Sequence, residues 1–202
     1  MRTKINTLKL GDKKHHFTQK DLPALIHYPS KTGWSHYSMV LIENLALQGV
    51  KVLIFTWYPA AKEMFFTETK TIAKDTVVIE KITDIEKYKN KQVIIINNDD
   101  EKLCLTAIKK LEDIDDRIIF IKNIDICHTL LLKECIKHKK IILSWDLDAC
   151  RAKEIIRKKK FASVLLFSQP KIKISYTFVP LELYTGYIRS KNTEGYVRSV
   201  PA

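Results

Sequence analysis

Residue types able to hold an anion gather between Tyr28 and Ser35. Pro29-Ser30-Lys31-Thr32-Gly33 brings two hydroxyls, a cation and a glycine into one short loop, and Ser35 adds a hydroxyl just beyond it. Hydroxyls, a lysine and closely spaced backbone N–H groups are what a phosphate needs. Ser30, Lys31, Thr32, Gly33 and Ser35 are therefore candidate cofactor-binding residues. No residue declares itself as a catalytic acid, base or nucleophile.

The flanking elements place this loop. Ala24–His27 is a short apolar run that Pro29 to Gly33 interrupts. From Ser35 on, Met39, Val40, Leu41, Ile42, Leu45, Ala46 and Leu47 recur at three- and four-residue spacings, which predicts a helix. Gly49 fits a left-handed helix C-cap. Val50–Thr56 is nearly all apolar, as a parallel strand buried on both faces requires. The unit is strand, loop, helix, strand. Its right-handed crossover aims the free N–H groups of the helix start out of the sheet's carboxyl edge.

At this point the sequence resembles the RecA-like ATPases, in particular their small RadA/KaiC-like branch. Gln48-Gly49-Val50-Lys51-Val52-Leu53-Ile54-Phe55-Thr56 is similar to the stretch in which the helix ends in a glycine and a "KVL-hydrophobic-T/S" strand follows. Laid on the phosphate-loop pattern G-x-x-x-x-G-K-[ST], Gly33 is the second glycine and Ser35 the hydroxyl, but Tyr28 replaces the first glycine and Trp34 the lysine. The glutamate that should follow the Thr56 strand is replaced by Trp57 and Tyr58, with Glu63 further along. The resemblance makes Arg117–Ile121 the Walker B strand. There the magnesium-holding aspartate is replaced by Lys122, with Asn123 next and Asp125 three residues late. Reading Gln92–Ile96 as Walker B instead puts Asn97 at that position and Asp99 two later. After Ile141–Trp145, Asp146 and Asp148 are further carboxylates, Asp148 doubling as a helix N-cap. ATP with magnesium is the cofactor the resemblance implies; the residues themselves require none.

The rest of the chain alternates. Thr3–Leu10 suits an edge strand or arm, Lys13 to His16 a charged turn, Val77–Ile79 a strand and Asp84–Lys89 a turn or short helix. Asp100 is the expected N-cap of helix Glu101–Leu111, whose apolar face is Leu103, Ala107, Ile108 and Leu111. Further helices are expected at Ala60–Phe66, Cys127–Lys139 and Ala149–Lys160. Strands are expected at Ala162–Phe167 and Ile172–Phe178, and a hairpin at Tyr184–Val200. Cys135 and His138 share a helix face, and His15 and His16 are adjacent, but two ligands do not make a metal site. They read as a buried thiol, a surface histidine and a solvated pair, and no metal is assigned.

The densest positive run is Arg157-Lys158-Lys159-Lys160, the first choice for contacts to a nucleic-acid backbone. Arg189 and Lys191 match the basic positions of the family's closing ribbon, which in its oligomers reaches the neighbouring subunit's nucleotide. The net charge of +12 favours an anionic partner. The polar N-terminus carries no secretory h-region, and no apolar stretch reaches membrane-span length. The four cysteines include no CxxC, so a cytoplasmic, reduced protein is expected.

The reading is an α/β fold: a mostly parallel central sheet with flanking helices, RecA-like, and a C-terminal β-hairpin. A Rossmann-like order is the alternative topology. Residues 1–21 form a basic arm or edge strand and 22–202 the domain. The function expected is a degenerate RecA-like protein deficient in ATP hydrolysis, acting as a nucleic-acid-linked or assembly accessory factor. Its expected partners are nucleic acid or a RecA-like homo- or hetero-oligomer. The alternatives are a divergent ATPase using Lys31, Ser35 and Asp125 or Asp146, and a basic nucleic-acid-binding module without nucleotide.

Overall fold

The computed structural model describes residues 8–10, 13–15, 19–27, 42, 45–46, 48–56, 75–98, 100–122, 129–145, 160–166, 185–190 and 194–198. Eleven strands form one sheet: β1 Leu8–Leu10, β2 Lys13–His15, β3 Ala24–His27, β4 Val52–Thr56, β5 Thr76–Ile79, β6 Val93–Asn97, β7 Ile118–Lys122, β8 Ile141–Trp145, β9 Ser163–Leu166, β10 Thr185–Ser190 and β11 Glu194–Arg198. The order across the sheet is β2-β1-β11-β10-β9-β3-β8-β7-β4-β6-β5. From β9 to β5 all seven strands run parallel. From β9 back to β2 the pairings are antiparallel.

The parallel strands form where apolar residues run without interruption. Every residue of β4 and β7 is buried, as is Val93–Ile96 of β6. Each such Ile, Leu, Val or Phe contributes about 1.5–3 kcal/mol by leaving water. Helix α1 (Glu101–Lys110) follows β6 and packs against helix α2 (Thr129–Cys135), which follows β7. Ile42, Leu45 and Ala46 are buried in the core and precede a cap of the Schellman type. The Gly49 N–H donates to the Ala46 carbonyl at 2.9 Å, the Val50 N–H to the Leu45 carbonyl at 3.1 Å, and Gly49 takes φ +75°.

Asp100 caps α1 as its sequence position predicts, accepting from the N–H groups of Lys102 (2.8 Å) and Leu103 (3.2 Å). The buried face of α1 is Cys104, Ala107, Ile108 and Leu111, whereas Leu103 is 39% exposed. Cysteine packs as a small hydrophobe and takes the place given to leucine. Lys13–His15 is a strand rather than a turn. It lies at the sheet's edge, where lysines discourage further pairing. Helix α2 is shorter than the expected 127–139 span: residues 136–137 form a turn, and 127–128 lie outside the described residues. Lys160 is exposed and non-helical, one residue beyond where the expected helix could end. Residues 60–66, 149–159, 172–178 and 191–193 lie outside the described set.

The amino edge of the sheet is braced by charge. Arg117, 1% exposed, donates through Nε and Nη2 to both carboxylate oxygens of Asp113 at 3.0 and 3.1 Å, and through Nη1 to the Lys91 carbonyl at 3.2 Å. Its Nη2 also donates to the Lys89 carbonyl. Lys51, leading into β4, completes the pairing with Asp113 at 2.7 Å. Among the described helices none is long and apolar enough to cross a membrane.

Candidate functional site

Ligands of parallel α/β sheets bind beyond the carboxyl ends of the strands, and the strand order ranks those ends by distance from β3. β8 and β9 flank β3. β7 lies one strand beyond β8, about 10 Å from β3; β4 lies about 14 Å away and β6 about 19 Å away. This separates the two possible Walker B strands. β7 ends within reach of a phosphate held by the loop after β3, and β6 does not.

The loop after β6 has structural work. The Asn98 side-chain amide donates to the Glu80 carbonyl at 3.1 Å and its oxygen accepts from the Asp100 N–H at 2.7 Å. Asp100 caps α1, and the Glu101 carboxylate accepts from the Leu131 N–H in the first turn of α2 at 2.8 Å. The described acids at this edge are thus engaged at helix starts, where negative charge meets the positive dipole end.

What stands at the end of β7 is Lys122, and it is only 2% exposed. In register it faces Ser144 of β8, which in turn faces Ile26 of β3. One step beyond the last printed β4–β7 pair, Phe55 with Ile121, Thr56 comes beside Lys122. Thr56 and Ser144 are fully buried, and the Ser144 hydroxyl donates to the Ile121 carbonyl at 3.4 Å. Residues in one cross-strand row share a face. The last turn of this sheet therefore carries a row of Ser144, Lys122 and Thr56 on strands that are otherwise apolar. A hydroxyl–ammonium–hydroxyl row offers donors to an anion. Among the described residues it contains no carboxylate, so a divalent cation does not fit it.

The sequence reading reached Lys122 as a substitution at an expected aspartate, without its burial. It missed Ser144, because a lone serine inside Ile141–Trp145 has no local signal. Ser30, Lys31, Thr32, Gly33 and Ser35 lie outside the described residues, as do Trp34, Glu63, Asp125, Asp146 and Asp148. So do Arg157, Lys158, Lys159 and Lys191. Lys160 is exposed at the lead-in to β9, and Arg189 stands opposite Glu194 in the β10–β11 register. The structure does not bring Lys160 and Arg189 into one described patch.

Cys135 is buried, and burial pushes its thiol well above the usual range, so it is not a ready metal ligand. His138 is not the surface residue expected. Its side chain is 19% exposed and its Nδ1 lies 3.5 Å from the Asp115 carboxylate.

No family model and no curated protein matches this chain. Solved structures do. The genome packaging NTPase B204 from Sulfolobus turreted icosahedral virus 2, in complex with AMP, superposes with a TM-score of 0.59 at 15% identity, over 92% of this chain and 100% of that one. Its complex with ATP-gammaS gives 0.57 at 13% identity, over 92% and 100%. The DNA-packaging ATPase B204 from Sulfolobus turreted icosahedral virus gives 0.54 at 13% identity, over 91% and 100%. At such identity the likeness is one of fold. The chain has the RecA-like P-loop ATPase fold, with seven parallel strands and flanking helices.

Proposed function

We propose that this chain is a RecA-like protein deficient in ATP hydrolysis, which keeps an anion-binding carboxyl edge and acts as a nucleic-acid-linked or assembly accessory factor. The observation that carries this reading is the buried Lys122 at the end of β7. The resemblance puts there the aspartate that holds magnesium through water. A lysine cation about 6 Å from Mg²⁺ repels it by about 5 kcal/mol at an effective dielectric of 20. The same charge attracts a phosphate. Trp34 for the loop lysine and Trp57-Tyr58 for the glutamate change the same chemistry in the same direction. Ser144 and Thr56 extend the row as neutral donors. The positive net charge and the likeness in fold to a packaging NTPase support a nucleic-acid setting.

The test is turnover. Purified protein with ATP and Mg²⁺ is expected to release phosphate at the background rate, with and without single- or double-stranded DNA. A magnesium-dependent rate that Lys31→Ala or Ser35→Ala abolishes, and that Asp125→Asn or Asp146→Asn removes without unfolding, would establish the divergent ATPase instead.

A further inference from the structure

The antiparallel wing formed by β2, β1, β11 and β10 carries a pattern that local sequence does not display. Its registers run without a bulge, so each residue can be assigned to a face. Lys14 pairs with Lys9, Lys9 with Arg198, and Arg198 with Thr185. Three cationic positions thus fall in one row across three neighbouring strands, about 5 Å apart at each step. No carboxylate position lies in that row. Two residues along, on the same face, Tyr187 stands opposite Tyr196. Another two residues along, Arg189 stands opposite Glu194, a neutralising pair. The other face takes Leu8, Leu10, Val197, Ile188 and Leu165.

The wing is therefore divided: one face apolar, the other bearing a cation row beside a tyrosine pair. Like charges placed directly opposite one another across strands oppose pairing. A polyanion laid along the row reverses that penalty. Aromatic positions a short step from a cation row suit a strand whose bases are free to stack, since stacking needs a π-face and no particular sequence.

We propose that this face of the wing is a binding platform for single-stranded nucleic acid. Lys14, Lys9 and Arg198 lie where backbone phosphates would run, and Tyr187 and Tyr196 where bases would stack. The inference deepens the nucleic-acid part of the proposed function and does not depend on the nucleotide part. It also relocates the interface away from the Arg157–Lys160 run.

The experiment is fluorescence anisotropy of a labelled oligothymidylate titrated with the full chain, in salt from about 50 to 200 mM. Three phosphate contacts to a single strand predict a slope of about −2 in log K against log salt, and a roughly 20-fold loss of affinity over that range. Lys9→Gln and Arg198→Gln are each expected to reduce the slope by about 0.7. The triple variant with Lys14→Gln removes most of it. Tyr187→Leu/Tyr196→Leu is expected to weaken binding about tenfold with the slope unchanged. Circular dichroism confirms folding, and the single variants carry the test should the triple or double variant fail to fold. If the wild type binds but the single variants leave both affinity and slope unchanged, the wing platform is wrong and the nucleic-acid reading survives elsewhere. If duplex binds better than single strand and the tyrosine variant is silent, the single-strand assignment is wrong. If the wild type binds neither, both the platform and the nucleic-acid part of the proposed function fall.

Discussion

Replacing Asp113 by alanine separates the scaffold end of the sheet from its functional end. Arg117 is buried, and both of its charge-assisted bonds to a carboxylate go to Asp113. The change leaves that guanidinium with the Lys89 and Lys91 carbonyls and no counter-charge. Removing one partner of a buried pair costs about 3–5 kcal/mol. Asp113 is itself 24% exposed, which lets water in and puts the expectation at the low end, about 3 kcal/mol. Lys51 adds little, being 39% exposed. For a chain of this size the midpoint of thermal unfolding should fall by about 6–12 °C. The assay is urea and thermal denaturation followed by circular dichroism, with affinity for oligothymidylate unchanged in the folded protein. Arg117→Met combined with Asp113→Ala should cost less than the sum of the two, because the pair acts as a unit. The pH dependence follows. Burial alone would raise the Asp113 carboxyl, but hydrogen bonds from Lys51 and Arg117 outweigh it and hold the carboxyl below its usual range. The folded group thus ionises at lower pH than the unfolded one, near 3.9. Its stabilisation is complete above that value and fades as pH falls through the folded value. The gap between wild type and Asp113→Ala should be constant above about pH 5 and close in acid. A cost under about 0.5 kcal/mol, or a gap that widens as pH falls, would refute the bracing role.

Three further outcomes are expected. Gly49→Ala should destabilise by about 1–2 kcal/mol in denaturation experiments from backbone conformation alone, because a Cβ there meets nothing within 4 Å while φ is +75°. Asp100→Ala should cost about 1 kcal/mol by removing the α1 cap, and Asp100→Asn much less. Native protein treated with iodoacetamide at neutral pH should show no adduct at Cys104 or Cys135 by peptide mass mapping, since both are buried and the Cys135 thiol is pushed up; urea should expose both.

Much of the parallel half was legible because buried parallel strands announce themselves. Val93–Ile96, Ile118–Ile121 and Ile141–Leu143 are uninterrupted apolar runs, and Asp100 and Gly49 punctuate helices by local chemistry. The charged positions were not legible in the same way. Arg117 and Lys122 bracket the same apolar run and both read as solvated strand ends. Arg117 is buried because carbonyls from Lys89 and Lys91 and a carboxylate at Asp113 meet it. Lys122 is buried at a strand end that long-range pairing places inside the sheet. The cation row of the wing was hidden for a related reason. Lys9 and Arg198 are neighbours only once the two ends of the chain pair, and no periodicity within either segment reports that. Lys13–His15 misled because an edge strand tolerates a composition that usually marks a turn.

The most direct test of the account is an isothermal titration of the protein with ATP, in chelator and again in Mg²⁺, with tryptophan fluorescence read in parallel. A site built around Lys122 in place of a carboxylate predicts saturable ATP binding in chelator, no tighter in Mg²⁺, and weakened about tenfold or more by Lys122→Met in a protein that remains folded. Binding that requires Mg²⁺, or that is indifferent to Lys122→Met, would contradict it.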